Sequence, residues 1–184
     1  MTAGRGVIHS EMPEQKEGLL HGFQLWVNLP AKEKMKDPHY QEYKSSEFPI
    51  IDLPEGGKIK VIAGSVVAEQ NRVEGLVSGV ATSPLYLDIT LSANEGVVIP
   101  VPESHTALVY VFDGATDELD SQQLGVYEQG VAIALNAGAQ GARLLLVAAQ
   151  PLREPVVQYG PFVMNTMEEV EQALSDYRDG KLTT

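Results

Sequence analysis

Hydrophobic positions in this chain recur mostly with a period of two, in short runs broken by Gly, Pro, Asn and Asp. Residues 19–29 (LLHGFQLWVNL), 58–64 (KIKVIAG), 85–91 (LYLDITL), 106–112 (TALVYVF), 131–135 (VAIAL) and 142–149 (ARLLLVAA) are rich in β-branched or apolar side chains. Several alternate as half-buried strands do, so each run predicts a strand. EGG (55–57), SANEG (92–96), DGATDELD (113–120) and NAGAQG (136–141) carry turn chemistry between them. Many short strands at this spacing predict an all-β sandwich or barrel rather than a parallel α/β sheet.

Two stretches break the alternation. DPHYQEYK (37–44) offers Asp37 as N-cap and Pro38 at the first helical position, where its missing N–H costs nothing. NTMEEVEQALSDYRDG (165–180) is the stronger signal. Thr166 and Glu169 have capping-box spacing, and Met167, Val170, Leu174 and Tyr177 share one face. Glu168 and Glu169 sit at the positive end of the helix dipole, Arg178 near the negative end, and Gly180 can close the helix. A helix over about 167–178 that docks through its apolar face is predicted. The strand and helix pattern breaks at LPEGG (53–57), which predicts a boundary there. Residues 1–53 hold too few elements to close a core alone.

Composition narrows the functional classes. Of 184 residues, 43% are hydrophobic and 21% charged, enough apolar material for a globular core. A formal net charge of −12 argues against nucleic acid and against an anionic membrane surface, both of which need clustered Lys and Arg. There is no apolar run long enough for a transmembrane helix and no signal-peptide core at the start, so a cytoplasmic setting is expected. With no cysteine, any metal must sit on histidine and carboxylate.

One short motif bears on that chemistry. In AGRGVIHSEMP (3–13), His9 and Glu11 are two residues apart, and on a strand such residues point to the same face about 6.6 Å apart at the backbone. An imidazole and a carboxylate so placed can reach one metal ion. This composition gives roughly 0.4 such pairs by chance, so spacing alone favours a surface histidine beside a solvated glutamate. His21, His39 and His105 each stand without a second ligand at metal spacing.

The longer context changes the weighing. MTAGRGVIHSEMP (1–13), HGFQLWVNLPAKEKMKDPHYQEYKS (21–45) and PLREPVVQYGPFVMNTMEEVEQALSDYRDGKL (151–182) resemble the pirin family, and the resemblance runs from end to end of the chain. It implies a bicupin: two jelly-roll β-barrels in one chain, the N-terminal one holding a mononuclear non-haem iron through three His and one Glu. A His-Pro-His segment of that barrel supplies two of the histidines. The third and the Glu come from a His-x-Glu segment, which here is His9 and Glu11. No His-Pro-His occurs in this sequence, and Met1 coincides with a methionine inside the family pattern. The resemblance therefore implies an N-terminally truncated pirin, with 1–53 the last part of the N-terminal cupin and 54–184 the C-terminal cupin with its tail helix. The C-terminal barrel is expected to be metal-free, since His105 is its one histidine.

Three functional readings follow from the resemblance. The first is a quercetin 2,3-dioxygenase-like enzyme acting on a flavonol-like aromatic substrate with Fe(II) or another divalent metal. Glu11 would then be both ligand and base, and Gln24 and Trp26, which share a face by period two, are candidates to line the pocket, the opposite parity of the strand being the alternative. The second is an iron-dependent co-regulator that binds a protein partner, which the acidic charge suits better than direct contact with DNA. The third is an inactive fragment that binds iron weakly because two ligands are missing. Self-association or disorder of residues 1–53 is expected from unpaired strand edges. The secondary-structure reading predicts a far-ultraviolet circular dichroism spectrum dominated by strand, with one helix contributing; a helix-dominated spectrum would overturn the jelly-roll assignment.

Overall fold

The alternation of the sequence reappears as alternating burial. In the computed structural model, which describes residues 1–10, 12, 17–68 and 71–183, the chain forms two compact units: Met1–Glu42 with Leu152–Thr184, and Tyr43–Pro151. The second unit is built from β1 (Ile50–Asp52), β2 (Lys58–Ala63), β3 (Ser65–Ala68), β4 (Asn71–Glu74), β5 (Leu85–Leu91), β6 (Gly96–Pro100), β7 (Thr106–Thr116), β8 (Leu124–Tyr127) and β9 (Ala132–Ala149). The main sheet runs β1-β2-β5-β9-β7-β8 with antiparallel neighbours, β6 pairs with β9, and β3 and β4 form a separate hairpin. This is the all-β class that the strand pattern predicts, and it fits the cupin jelly roll that the resemblance implies.

Period two decides the core. Leu85, Leu87, Ile89 and Leu91 of β5 point inward, where they meet Ile59 and Val61 of β2, Val109 and Val111 of β7, and Leu144 and Leu146 of β9. Each side chain of this size contributes about 1.5–3 kcal/mol on leaving water. The buried carboxylate of Glu95 accepts the backbone N–H groups of Glu55 (2.9 Å) and Ser92 (2.8 Å), so it ties the 53–57 turn to the 92–95 turn. The stretch 53–57 is thus the β1–β2 hairpin turn, and by packing the two units divide at Glu42 and Tyr43.

The long strand β9 corrects the turn predicted at 136–141. Residues 132–136 pair with β6, and residues 142–149 pair with both β5 and β7. The chain stays extended between them and creases at Gly141, whose φ is +77°. Opposite lies Gly114 of β7 with φ +70°, and the β7–β9 register shifts at this point. A Cβ on Gly114 would lie 2.2 Å from the carbonyl oxygen of Gly141, so two glycines are required where the strands crease against each other. The sequence signal at NAGAQG is real glycine chemistry, used for a bend within a strand instead of a reversal.

The first unit contains α1 (Ala31–Lys34), the hairpin β10 (Val157–Tyr159) and β11 (Phe162–Met164), and α2 (Met167–Arg178). Helix α2 has the bounds that its periodicity predicts, and its capping box is formed in both directions between Thr166 and Glu169. Its end is a Schellman closure: Gly180 at φ +69° donates to Tyr177 and Lys181 donates to Asp176. The docked face is narrower than the pattern implied. Val170 is buried and Ala173 and Leu174 are half-buried, whereas Met167 and Tyr177 are exposed, and helix α2 packs on the small β10–β11 hairpin.

Two further predictions are corrected. Residues 37–44 are not helical; His39 instead makes an antiparallel bridge to Thr2, and the one helical turn of this region is α1, upstream of Pro38. Residues 19–29 are not a strand. A strand exists through ladder hydrogen bonds to a neighbour, and among the described residues none is paired with this run. The crease gives a direct test. Gly114→Ala is expected to lower stability by about 2 kcal/mol or more, through the left-handed φ and the carbonyl contact, as measured by denaturant unfolding.

Candidate functional site

The residues singled out in the sequence lie on the N-terminal arm of the first unit. The arm is strapped to residues 36–39: the N–H of Thr2 donates to the His39 carbonyl at 2.7 Å, that of His39 returns to Thr2 at 3.0 Å, and that of Arg5 donates to Lys36 at 2.9 Å. The Arg5 guanidinium also pairs with Asp37. Gly4, with φ +55°, allows this approach, since a Cβ there would lie 2.1 Å from the Lys36 carbonyl oxygen. Gly6 packs against Leu182, whose side chain would lie 2.5 Å from an added Cβ.

His9 follows three residues later, exposed and outside regular secondary structure. Glu11 lies outside the described residues. Gln24 and Trp26 are exposed in the stretch 19–29, which lies outside regular secondary structure, with Trp26 at 58% exposure. In the same stretch the rings of His21 and Phe23 lie 5.1 Å apart. A centre with three His and one Glu needs four converging side chains. Among the described residues no three of His, Cys, Asp or Glu come together, so these residues do not make such a site by themselves.

A residue that sequence reasoning passed over organises this unit. Lys34 is 6% exposed, and its ammonium donates to Asn28 Oδ1 at 2.6 Å and to the Val163 carbonyl at 2.8 Å. Burial pushes its pKa below the ordinary lysine value, against the raising effect of Glu154 and Glu169. In AKEK this lysine has no sequence mark that separates it from Lys32 and Lys36. Only the tail folding back over it reveals the burial.

A small pocket of about 40 Å³ in the barrel unit lies beside His105, Tyr127, Glu128 and Ile133. That volume admits a water-sized guest, far below the roughly 300–1,000 Å³ of sites that enclose drug-sized ligands. The Nδ1 atom of His105 is buried here with no hydrogen-bond partner, and burial lowers the imidazole pKa. Tyr127 donates to Glu118 at 2.9 Å, and burial together with that carboxylate pushes the phenol up to about 12. The rest of the barrel core is largely aliphatic, with Glu95 and Thr82 the buried polar residues among those described.

Strand order, the creased central strand and the aliphatic barrel interior define a cupin-type protein. Residues 86–183 match the family described as pirin C-terminal cupin domain, and residues 1–27 match the family described as pirin. The chain belongs to the pirin family. It is 44% identical to a Pseudomonas aeruginosa protein provisionally named quercetin 2,3-dioxygenase, across 99% of this chain and 66% of that one. It is 40% identical to mouse pirin, across 98% and 63% respectively. A crystal structure titled quercetin 2,3-dioxygenase, from Acinetobacter baumannii, superposes with a TM-score of 0.77 at 34% identity, covering 86% of this chain and 56% of that one. The chain thus spans just under two thirds of the length of these curated relatives.

The buried imidazole predicts a pH dependence. The folded pKa of His105 lies below its unfolded value of about 6.5, so above that pH both states are neutral and stability is complete. As pH falls from there through the lowered folded value, the unfolded chain takes up the proton more readily and stability is lost. His105→Gln should flatten this part of the stability profile, measured by urea unfolding between pH 7.5 and 5.

Proposed function

We propose that this chain carries one ligand pair, His9 and Glu11, of a pirin-type mononuclear iron site, and that the rest of the coordination sphere comes from groups outside this sequence. The observation that carries the reading is the match of residues 1–27, which contain this His-x-Glu pair, to the pirin family. The donor set suits it: neutral imidazole plus carboxylate is the chemistry of non-haem iron sites with open positions. The exposure of His9 leaves its ring reachable from outside its own unit.

On this reading residues 1–53 correspond to the last part of an N-terminal cupin and residues 54–184 to a C-terminal cupin with its tail. On the same reading the C-terminal cupin is expected to be metal-free, and its core is largely aliphatic. The reaction class is dioxygenation of a flavonol-like aromatic, drawn from the names of the Pseudomonas and Acinetobacter relatives. The 184 residues alone supply two donors, and two donors leave most of a coordination sphere to water, so tight iron retention needs the others.

Iron content tests this directly. The isolated chain should bind Fe(II) weakly, lose it to chelator and take up no O₂ with quercetin. The same chain preceded by a pirin-type segment bearing His-Pro-His should retain stoichiometric iron, and His9→Ala or Glu11→Ala in that longer protein should lower metal affinity at least tenfold. Chelator-resistant, stoichiometric iron in the isolated chain that survives His9→Ala would refute the reading.

A further inference from the structure

The arm that bears His9 is too slight to hold itself in place. Among its described residues it has a single bridge, at Thr2, and no strand or helix, and its first residues are held at residues 36–39 and against Leu182. Residues 36–39 are in turn the exit of α1, a single turn of four residues. Isolated helices that short are unstable, so the turn must be fixed from outside.

What fixes it is the C-terminal tail. The N–H of Ala31 at the start of the turn donates to Glu154 Oε2 at 2.7 Å. The buried ammonium of Lys34 at its end donates to the Val163 carbonyl of β11 and to Asn28. Glu154 Oε2 also accepts from Asn165 Nδ2 at 3.0 Å, and Asn165 donates again to the Pro155 carbonyl at 3.0 Å, so the tail side of the contact is itself braced. Lysine is rarely this buried, and a buried ammonium is tolerated only where acceptors replace its water. Removing either partner leaves the other without compensation, which makes the contact all-or-none rather than a loose surface pairing.

We infer that Lys34 is a positioning residue: it transmits the placement of the C-terminal tail, through α1 and residues 36–39, to the arm that presents His9. This inference rests on the half-site reading only for what the arm is for; the mechanical linkage stands on the contacts above.

Backbone amide exchange and histidine NMR of the 184-residue chain separate the two. Four histidines give four imidazole signals: His9 and His39 report the arm, and His105 reports the barrel as an internal reference. In Lys34→Met, the amides of Thr2, Arg5 and His39 should exchange at least tenfold faster and the His9 and His39 signals should shift. His105, and the amide of Val170 in α2, should keep their wild-type behaviour. Unchanged protection at Thr2, Arg5 and His39 would overturn the inference, as would equal loss at Val170, which would mark general unfolding of the unit. Glu154→Gln, which keeps an acceptor oxygen but removes the charge, is the milder second variant: it should loosen the Ala31 amide and the arm with Val170 still protected, and an arm with wild-type protection would again overturn it. Co(II) titration is the metal readout. Failure of the unaltered chain to bind Co(II) counts against the half-site reading alone, because amide exchange reads the linkage without metal.

Discussion

Strand β9 is the element on which the barrel depends, because one continuous backbone ladder holds three other strands. Its first third pairs with β6 and its last half lies between β5 and β7, so the two faces of the jelly roll are joined by hydrogen bonds through a single segment. A straight strand cannot do both. The crease at Gly141 against Gly114 is what lets it pass from one layer to the other, and every inward residue of β5 and β7 takes its position from that passage. The aliphatic interior follows: with Leu144, Leu146, Leu135 and Ile133 on its buried side, β9 contributes residues to both halves of the core.

How much of this could be read from the sequence depends on where each element draws its stability. β2, β5 and β7 are legible because each buries alternate positions, and the pattern is written in the residues themselves. α2 is legible for a similar reason, since its capping box and glycine closure are local. β8, β10 and β11 escaped notice because they are three or four residues long, half-exposed, and defined by partners rather than by composition. The reverse error occurred at 19–29, where strand-like composition is present and the pairing is not. The crease was misread because glycine in a strand and glycine in a turn look alike one residue at a time.

The candidate site shows the same division more sharply. His9 and Glu11 were found from sequence because a short spacing and its flanking residues are local text. Lys34 was invisible because its importance comes from Glu154 and Val163, more than a hundred positions away. The barrel, meanwhile, fills most of its interior with packed aliphatic side chains, with Glu95 and Thr82 buried among them and His105 beside a pocket the size of a water molecule. His9 belongs to the first unit, apart in sequence from this core.

The first unit is also discontinuous: residues from both ends of the chain build it, with the whole barrel unit between them in sequence. During synthesis the arm with Gly6 leaves the ribosome long before Leu182, its packing partner, exists. At roughly 5–20 residues per second, the intervening residues take some ten seconds or more to appear, time enough for the non-local strand pairs of the barrel to form. The arm must spend that interval without the Leu182 side chain against which Gly6 finally packs. The strands of the barrel unit are thus complete in sequence before the two segments that build the first unit can meet.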